Sequence, residues 1–258
     1  MTMLRLAVWS GPRNISTAMM RAWENRGDCD VVDEPLYAHY LAQTGLDHPG
    51  RDEIIACGET DWRKVVAQLV RGSPTGKPLF YQKHMTHHLL PDIERSWLRE
   101  LTHVFLIRDP REVLASYLRT RATATVEDIG VLQELEIFEQ VRQMTGGSPT
   151  VIDAGDFLRA PEAHLRALCA QLGIAFSPRM LHWPPGARPS DGVWAPYWYE
   201  AVWRSSGFEP WHERSIELPD SFAPLLARVM PPYETLLARR LKLMDPPTQA
   251  STLAARPP

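Results

Sequence analysis

Arginines, hydroxyls and helix-starting residues gather in two short segments of this chain, and that combination binds phosphate. The first is Trp9-Ser10-Gly11-Pro12-Arg13-Asn14-Ile15-Ser16-Thr17 and the second is Ile107-Arg108-Asp109-Pro110-Arg111-Glu112-Val113-Leu114-Ala115-Ser116. Each follows a β-like apolar run and opens a helical pattern, so helix N-terminal amides, a guanidinium and hydroxyls can converge on an anion in both places. Two separated phosphate sites point to a doubly phosphorylated nucleotide. Asp109-Pro110-Arg111-Glu112 also reads as a helix start, with Asp109 as cap, Pro110 at the first helical position and Glu112 at the capping-box position. Helix capping leaves two residues unexplained: Arg108, at the end of a strand-like run, and Ser116, on a face otherwise made of Val113, Leu114 and Tyr117.

Two further groups follow strand-like runs and could move a proton or steady a charge. Asp33-Glu34-Pro35 places a carboxylate after Val31-Val32. Tyr81-Gln82-Lys83-His84-Met85-Thr86-His87-His88 places one of only four lysines, and three histidines, after Leu79-Phe80-Tyr81. His84 and His88 at i, i+4 could also pair on a metal, but the Glu of H-E-x-x-H is missing and no third ligand is evident, so no metal is expected.

The elements that must position these groups are legible in outline. Strand-like runs at residues 4–10, 31–32, 79–81, 104–107 and 151–152 alternate with helix-patterned stretches near 60–72, 110–121, 126–144 and 161–172. This alternation predicts an α/β fold of three layers, a central, mostly parallel sheet flanked by helices, with the polar segments at the carboxyl ends of the strands. After Gly173 prolines interleave with Trp183, Trp194, Trp198, Trp203 and Trp211, which reads as an irregular aromatic cap over about 183–211, where Trp194, Trp198, Trp203 and Trp211 with Tyr197 and Tyr199 could line an apolar acceptor pocket. Residues 218–243 read as a closing helical segment interrupted at Pro231-Pro232. One domain over residues 1–244 is expected, with a small, polar, proline-rich tail at 245–258 that reads as disordered.

Composition narrows the partners. A chain of 258 residues that is 44% hydrophobic can bury a substantial core. The net charge of −3 and the scattered arginines give no attraction to nucleic acid. No apolar run approaches the ~18 residues of a membrane span, and no signal-peptide core follows Met1. The expectation is a cytoplasmic protein with no membrane partner. Cys29, Cys57 and Cys169 are widely spaced without a CxxC, which fits a reducing compartment and offers no zinc framework.

Pro12-Arg13-Asn14-Ile15-Ser16-Thr17 resembles the loop that binds the 5'-phosphosulfate in sulfotransferases, usually Pro-(Lys/Arg)-Ser-Gly-(Thr/Ser)-Thr. Arg108 and Ser116 match, in type and spacing, the Arg and Ser that grip the 3'-phosphate in that family. Residues 4–173 thus resemble a sulfotransferase using 3'-phosphoadenosine 5'-phosphosulfate, whose fold is P-loop-like. The resemblance implies that Arg13, Asn14, Ser16 and Thr17 serve the 5'-phosphate and the transferring group, and Arg108 and Ser116 the 3'-phosphate. It further implies Lys83 as a cation for the bridging oxygen and either Glu34 or His84 as the base, acting on a hydroxyl, or less readily an amine, of a small-molecule acceptor. Ile15 stands where the family usually has glycine, which widens or tilts the cradle. Two other readings stay open: a P-loop kinase or hydrolase, with Val151-Ile152-Asp153 as a Walker-B-like run but without the Gly-Lys-Ser/Thr of that loop, and a catalytically inert nucleotide-binding module.

Overall fold

A computed structural model describes residues 3–119, 123–213 and 215–243. In chain order its elements begin with β1 (Leu4–Ser10), α1 (Ser16–Asn25), β2 (Cys29–Asp33), α2 (Tyr37–Thr44), α3 (Arg51–Cys57) and α4 (Trp62–Arg71). There follow β3 (Leu79–Met85), β4 (Thr102–Ile107), α5 (Pro110–Tyr117), α6 (Val126–Ile129), α7 (Val131–Thr145) and β5 (Thr150–Asp153). The chain closes with α8 (Ala154–Arg159), α9 (Pro161–Gln171), α10 (Ala195–Trp198), α11 (Glu200–Arg204) and α12 (Ala223–Leu237). The strands form one parallel sheet in the order β2-β3-β1-β4-β5.

Both sheet faces are covered, as near-continuous apolar strands require. Ala7, Trp9, Phe80, Phe105 and Val151 pack on one side with residues of α4, α5, α7 and α12. Leu6, Val8, Leu79, Tyr81, Val104 and Ile152 pack on the other with α1 and α9. The result is the P-loop-like three-layer arrangement that the alternation of strands and helices predicts. A third cluster joins Tyr37, Tyr40, Leu41 and Ile54 of α2 and α3 to Trp194, Ala195 and Tyr199, so part of the aromatic segment lies over those two helices.

Three elements differ from the sequence reading. β3 continues to Met85, so Lys83 and His84 lie inside the strand rather than beyond it, and neighbouring strand residues face opposite sides of the sheet. The helical stretch after residue 125 divides at Gly130, whose φ of 75° ends α6 and starts α7. α12 runs through Pro231 and Pro232 although both lack an amide donor. Burial of Val229, Tyr233 and Leu236 and a 3.0 Å hydrogen bond from the Tyr233 hydroxyl to Asp153 hold that helix to the sheet. The tail expected at 245–258 lies outside the described residues.

Candidate functional site

The carboxyl ends of β2, β3, β1 and β4 lie side by side, and each delivers one of the groups singled out above. In the crevice between β1 and β4, Arg108 donates from Nη1 to the carbonyl of Arg13 at 2.7 Å, and Arg13 donates from Nε to Ser116 Oγ at 3.0 Å. Arg13, Arg108 and Ser116 thus come together, so the two segments that the sequence reading kept as separate sites touch directly. Arg108 also donates from Nε and Nη2 to Glu112 Oε2 at 2.9 and 2.8 Å. Glu112 therefore pairs with Arg108, while Asp109 caps α5 by accepting the amide of Arg111 at 2.8 Å.

Ser16 and Thr17 open α1, which has no side-chain cap and no acidic residue in its first turn, so its amide dipoles present positive potential to the crevice. Asn14 builds the loop: Nδ2 donates to the Leu106 carbonyl at 2.5 Å and Oδ1 accepts the Ile15 amide at 2.8 Å. The Ile15 side chain packs against the α1-side core. The loop passes so close to α6 that a Cβ at Gly11 would sit 2.7 Å from the Ile129 carbonyl oxygen. Glu134 of α7 is buried nearby, and burial pushes its carboxyl well above the usual carboxylate range, opposed by a hydrogen bond from the Gly11 amide.

The β2–β3 end is built differently. Asp33 pairs with Lys83 in register, and the two side chains meet at 2.9 Å with each only 1% exposed. Lys83 Nζ also donates to Glu34 Oε1 and to the Tyr199 hydroxyl, both at 2.6 Å. Tyr199 in turn donates to Asp33 Oδ2 at 2.6 Å, and Trp194 Nε1 donates to Tyr199 at 3.3 Å. Burial raises the Glu34 carboxyl above its ordinary value; the Lys83 charge opposes that rise and Asp33 adds to it. Burial alone would lower the Lys83 ammonium, but Asp33 and Glu34 together drive it well above its usual range. Glu34 Oε2 faces His88 Nδ1 at 3.9 Å, and that imidazole stacks on Tyr37 with ring centroids 4.5 Å apart.

His84 does not join this group. It points to the opposite sheet face, stacked on Trp9 at 4.4 Å, with Nε2 3.3 Å from Gln82 Oε1. Burial, aided by His103, lowers it to about 3, so it stays neutral within the core. His87 sits edge-on to Tyr40 at 5.3 Å and is lowered to about 4, chiefly by burial. Asp153 is occupied as the cap of α8, accepting the Asp156 amide at 2.9 Å, and by Tyr233. Among the described residues no three His, Cys, Asp or Glu side chains group as metal ligands do, and no helix is long and apolar enough to cross a membrane.

Asp33 is the member of the cluster that sequence reasoning did not assign to a site, and Tyr199 and Trp194, read as lining for an acceptor pocket, instead join Lys83 and Asp33. Asp33 carried a signal, since it adjoins Glu34 and falls level with Lys83 once the strands are paired. The contact of Tyr199 with Lys83 carried none, because 116 residues separate the two.

Two Arabidopsis thaliana proteins, branched-chain-amino-acid aminotransferase-like proteins 1 and 2, are 39% and 37% identical over 228 residues, or 88% of this chain. The chain spans about 40% of the length of those relatives. The sulfotransferase domain of the Synechococcus PCC 7002 olefin synthase superposes with a TM-score of 0.53 at 15% identity, covering 94% of this chain and 98% of that one. A sulfotransferase from Alicyclobacillus acidocaldarius gives 0.53 at 12% identity, covering 93% and 98%. These two likenesses establish the fold. A family description, "Sulfotransferase domain", matches residues 4–240, so the chain belongs to the sulfotransferase domain family.

Proposed function

We propose that this chain transfers a sulfuryl group from 3'-phosphoadenosine 5'-phosphosulfate to a hydroxyl of a small-molecule acceptor. Arg13 and the first turn of α1 would hold the 5'-phosphate and steady charge on the transferring group. Arg108 and Ser116 would hold the 3'-phosphate, which requires Arg108 to loosen from Glu112. Glu34 would take the acceptor's proton as the acceptor oxygen bonds to sulfur and the bond from sulfur to the 5'-phosphate oxygen breaks, leaving adenosine 3',5'-bisphosphate.

One observation carries the reading. Among the described residues Arg13 and Glu34 are the two non-glycine residues with positive φ, at 58° and 41°. Such backbone costs about 1–3 kcal/mol at each position and persists where the surroundings over-determine it, as they do at functional sites. Here it falls on the cation and the carboxylate that the proposed reaction needs. A kinase would place Gly-Lys at Ile15-Ser16, directly before Thr17, and would need a carboxylate available to Mg²⁺, whereas Asp153 is committed to the α8 cap and Tyr233.

Thermal unfolding with adenosine 3',5'-bisphosphate, beside ATP with Mg²⁺, tests the nucleotide. Bisphosphate at 100 times its dissociation constant should add about 2.7 kcal/mol, and EDTA should not diminish it. Stabilisation by ATP with Mg²⁺ alone would move the chain to the kinase reading. Consumption of the phosphosulfate donor with a panel of alcohols and phenols separates an enzyme from an inert binding module.

A further inference from the structure

We propose that Lys83, Asp33 and Tyr199 form a clamp that positions Glu34, so that Lys83 holds the carboxylate and does not contact the transferring group. The inference rests on Glu34 being the base and adds how it is held.

An ammonium has three protons to give. All three of Lys83 are given, to Asp33 Oδ1 at 2.9 Å, Glu34 Oε1 at 2.6 Å and the Tyr199 oxygen at 2.6 Å. The Tyr199 hydroxyl is saturated too: it donates to Asp33 Oδ2 and accepts from Lys83 and from Trp194 Nε1. With its side chain 1% exposed, Lys83 has neither a free proton nor a path to a phosphosulfate oxygen. A buried cation that touched the donor would have to break one of these charge-assisted bonds, each stronger than an ordinary hydrogen bond.

The clamp reaches the Glu34 backbone as well. The Glu34 amide donates to the Lys83 carbonyl at 3.0 Å and the Glu34 carbonyl accepts the Tyr37 amide at 2.9 Å, which fixes the left-handed turn from both sides. One carboxylate oxygen, Oε1, is committed to Lys83, leaving Oε2 as the oxygen turned away from the ammonium. Tyr199 links the clamp to the aromatic segment. Asp33 Oδ2 also lies 3.5 Å from the Gly192 amide, and Asp191 is paired with Arg21 of α1 at 2.6 Å. That segment therefore seats beside Asp33, and its seating completes the coordination of Lys83.

Ammonium ¹H–¹⁵N spectra of the full chain labelled at lysine test the clamp, because only four lysines exist and Lys83→Arg assigns the signal. The Lys83 ammonium should exchange with water at least about tenfold more slowly than the exposed Lys64. Tyr199→Phe should speed that exchange by about tenfold, and Glu34→Gln should shift the resonance. Trp194→Phe is the second variant, removing a donor to Tyr199 should Tyr199→Phe not fold. Saturating phosphosulfate donor without acceptor, its binding checked by calorimetry on the same sample, should leave the signal in place. A Lys83 signal that exchanges as fast as Lys64, or one that moves with the donor and ignores Tyr199→Phe, overturns the proposal. Failure of the donor to bind contradicts the proposed function instead, and the response to Tyr199→Phe then judges the clamp alone.

Discussion

The two ends of the sheet edge follow opposite electrostatic plans. In the β1–β4 crevice Arg13 and Arg108 are partly exposed and lean on a carbonyl, a hydroxyl and the 30%-exposed Glu112, so positive charge faces a region that solvent and anions can reach. At the β2–β3 end one ammonium and one carboxylate are buried together with the 11%-exposed Glu34, leaving one formal negative charge in the hydrogen-bonded set. The first arrangement offers guanidinium groups to an anion, and its carboxylate, Glu112, is held by Arg108. The second has a carboxylate raised by burial that is suited to take a proton, but its only cation is already satisfied. Nucleotide binding and proton transfer should therefore fail separately when each end is altered.

The largest effect should come from Glu34→Gln, which is expected to lower turnover by roughly 10²- to 10⁴-fold while leaving nucleotide affinity within about twofold. Its pH profile sharpens the point. Burial raises the Glu34 carboxyl above the ordinary 4.5, and a base works deprotonated, so turnover should fall as pH drops through that raised value. The variant should lose this acid limb. Loss of nucleotide binding in Glu34→Gln would erase the distinction between the two ends.

Arg108→Ala should act in the opposite sense. Removing a charge-assisted contact of about 1.5–3 kcal/mol should weaken adenosine 3',5'-bisphosphate about 10- to 150-fold while leaving 5'-AMP unaffected. Turnover at saturating donor should be kept. Asn14→Ala comes next, since it unpins the first loop from Leu106 and frees the Ile15 amide. A stability loss of about 1 kcal/mol is expected, seen as a fall of about 2–4 °C in the unfolding midpoint. The smallest effect belongs to His84→Phe, which keeps a ring against Trp9 and should leave turnover within about threefold. A collapse of activity there would return the base to the other face of β3.

The contrast between Lys83 and His84 shows what could be read without coordinates. Both residues were visible as chemistry near a strand end, but the length of β3 decides which face each takes, and Gln82 and His84 blurred the apolar signal that marks a strand. Pairing register then brings Asp33 to Lys83. The first loop and Arg108 were legible as elements because a strand end, its loop and the next helix start are near neighbours in sequence. Tyr199 was not, because only the seating of a distant proline- and tryptophan-rich segment brings its hydroxyl to the lysine. α12 shows the same limit from another direction: local rules stop a helix at Pro231-Pro232, and burial against the sheet carries it through.

Calorimetric titration of the wild type and Arg108→Ala with adenosine 3',5'-bisphosphate and with 5'-AMP tests the central claim most directly, since it needs no acceptor. A clear preference of the wild type for the bisphosphate, lost in Arg108→Ala, is the predicted result. Equal binding of the two nucleotides by the wild type would contradict the assignment of the β1–β4 crevice.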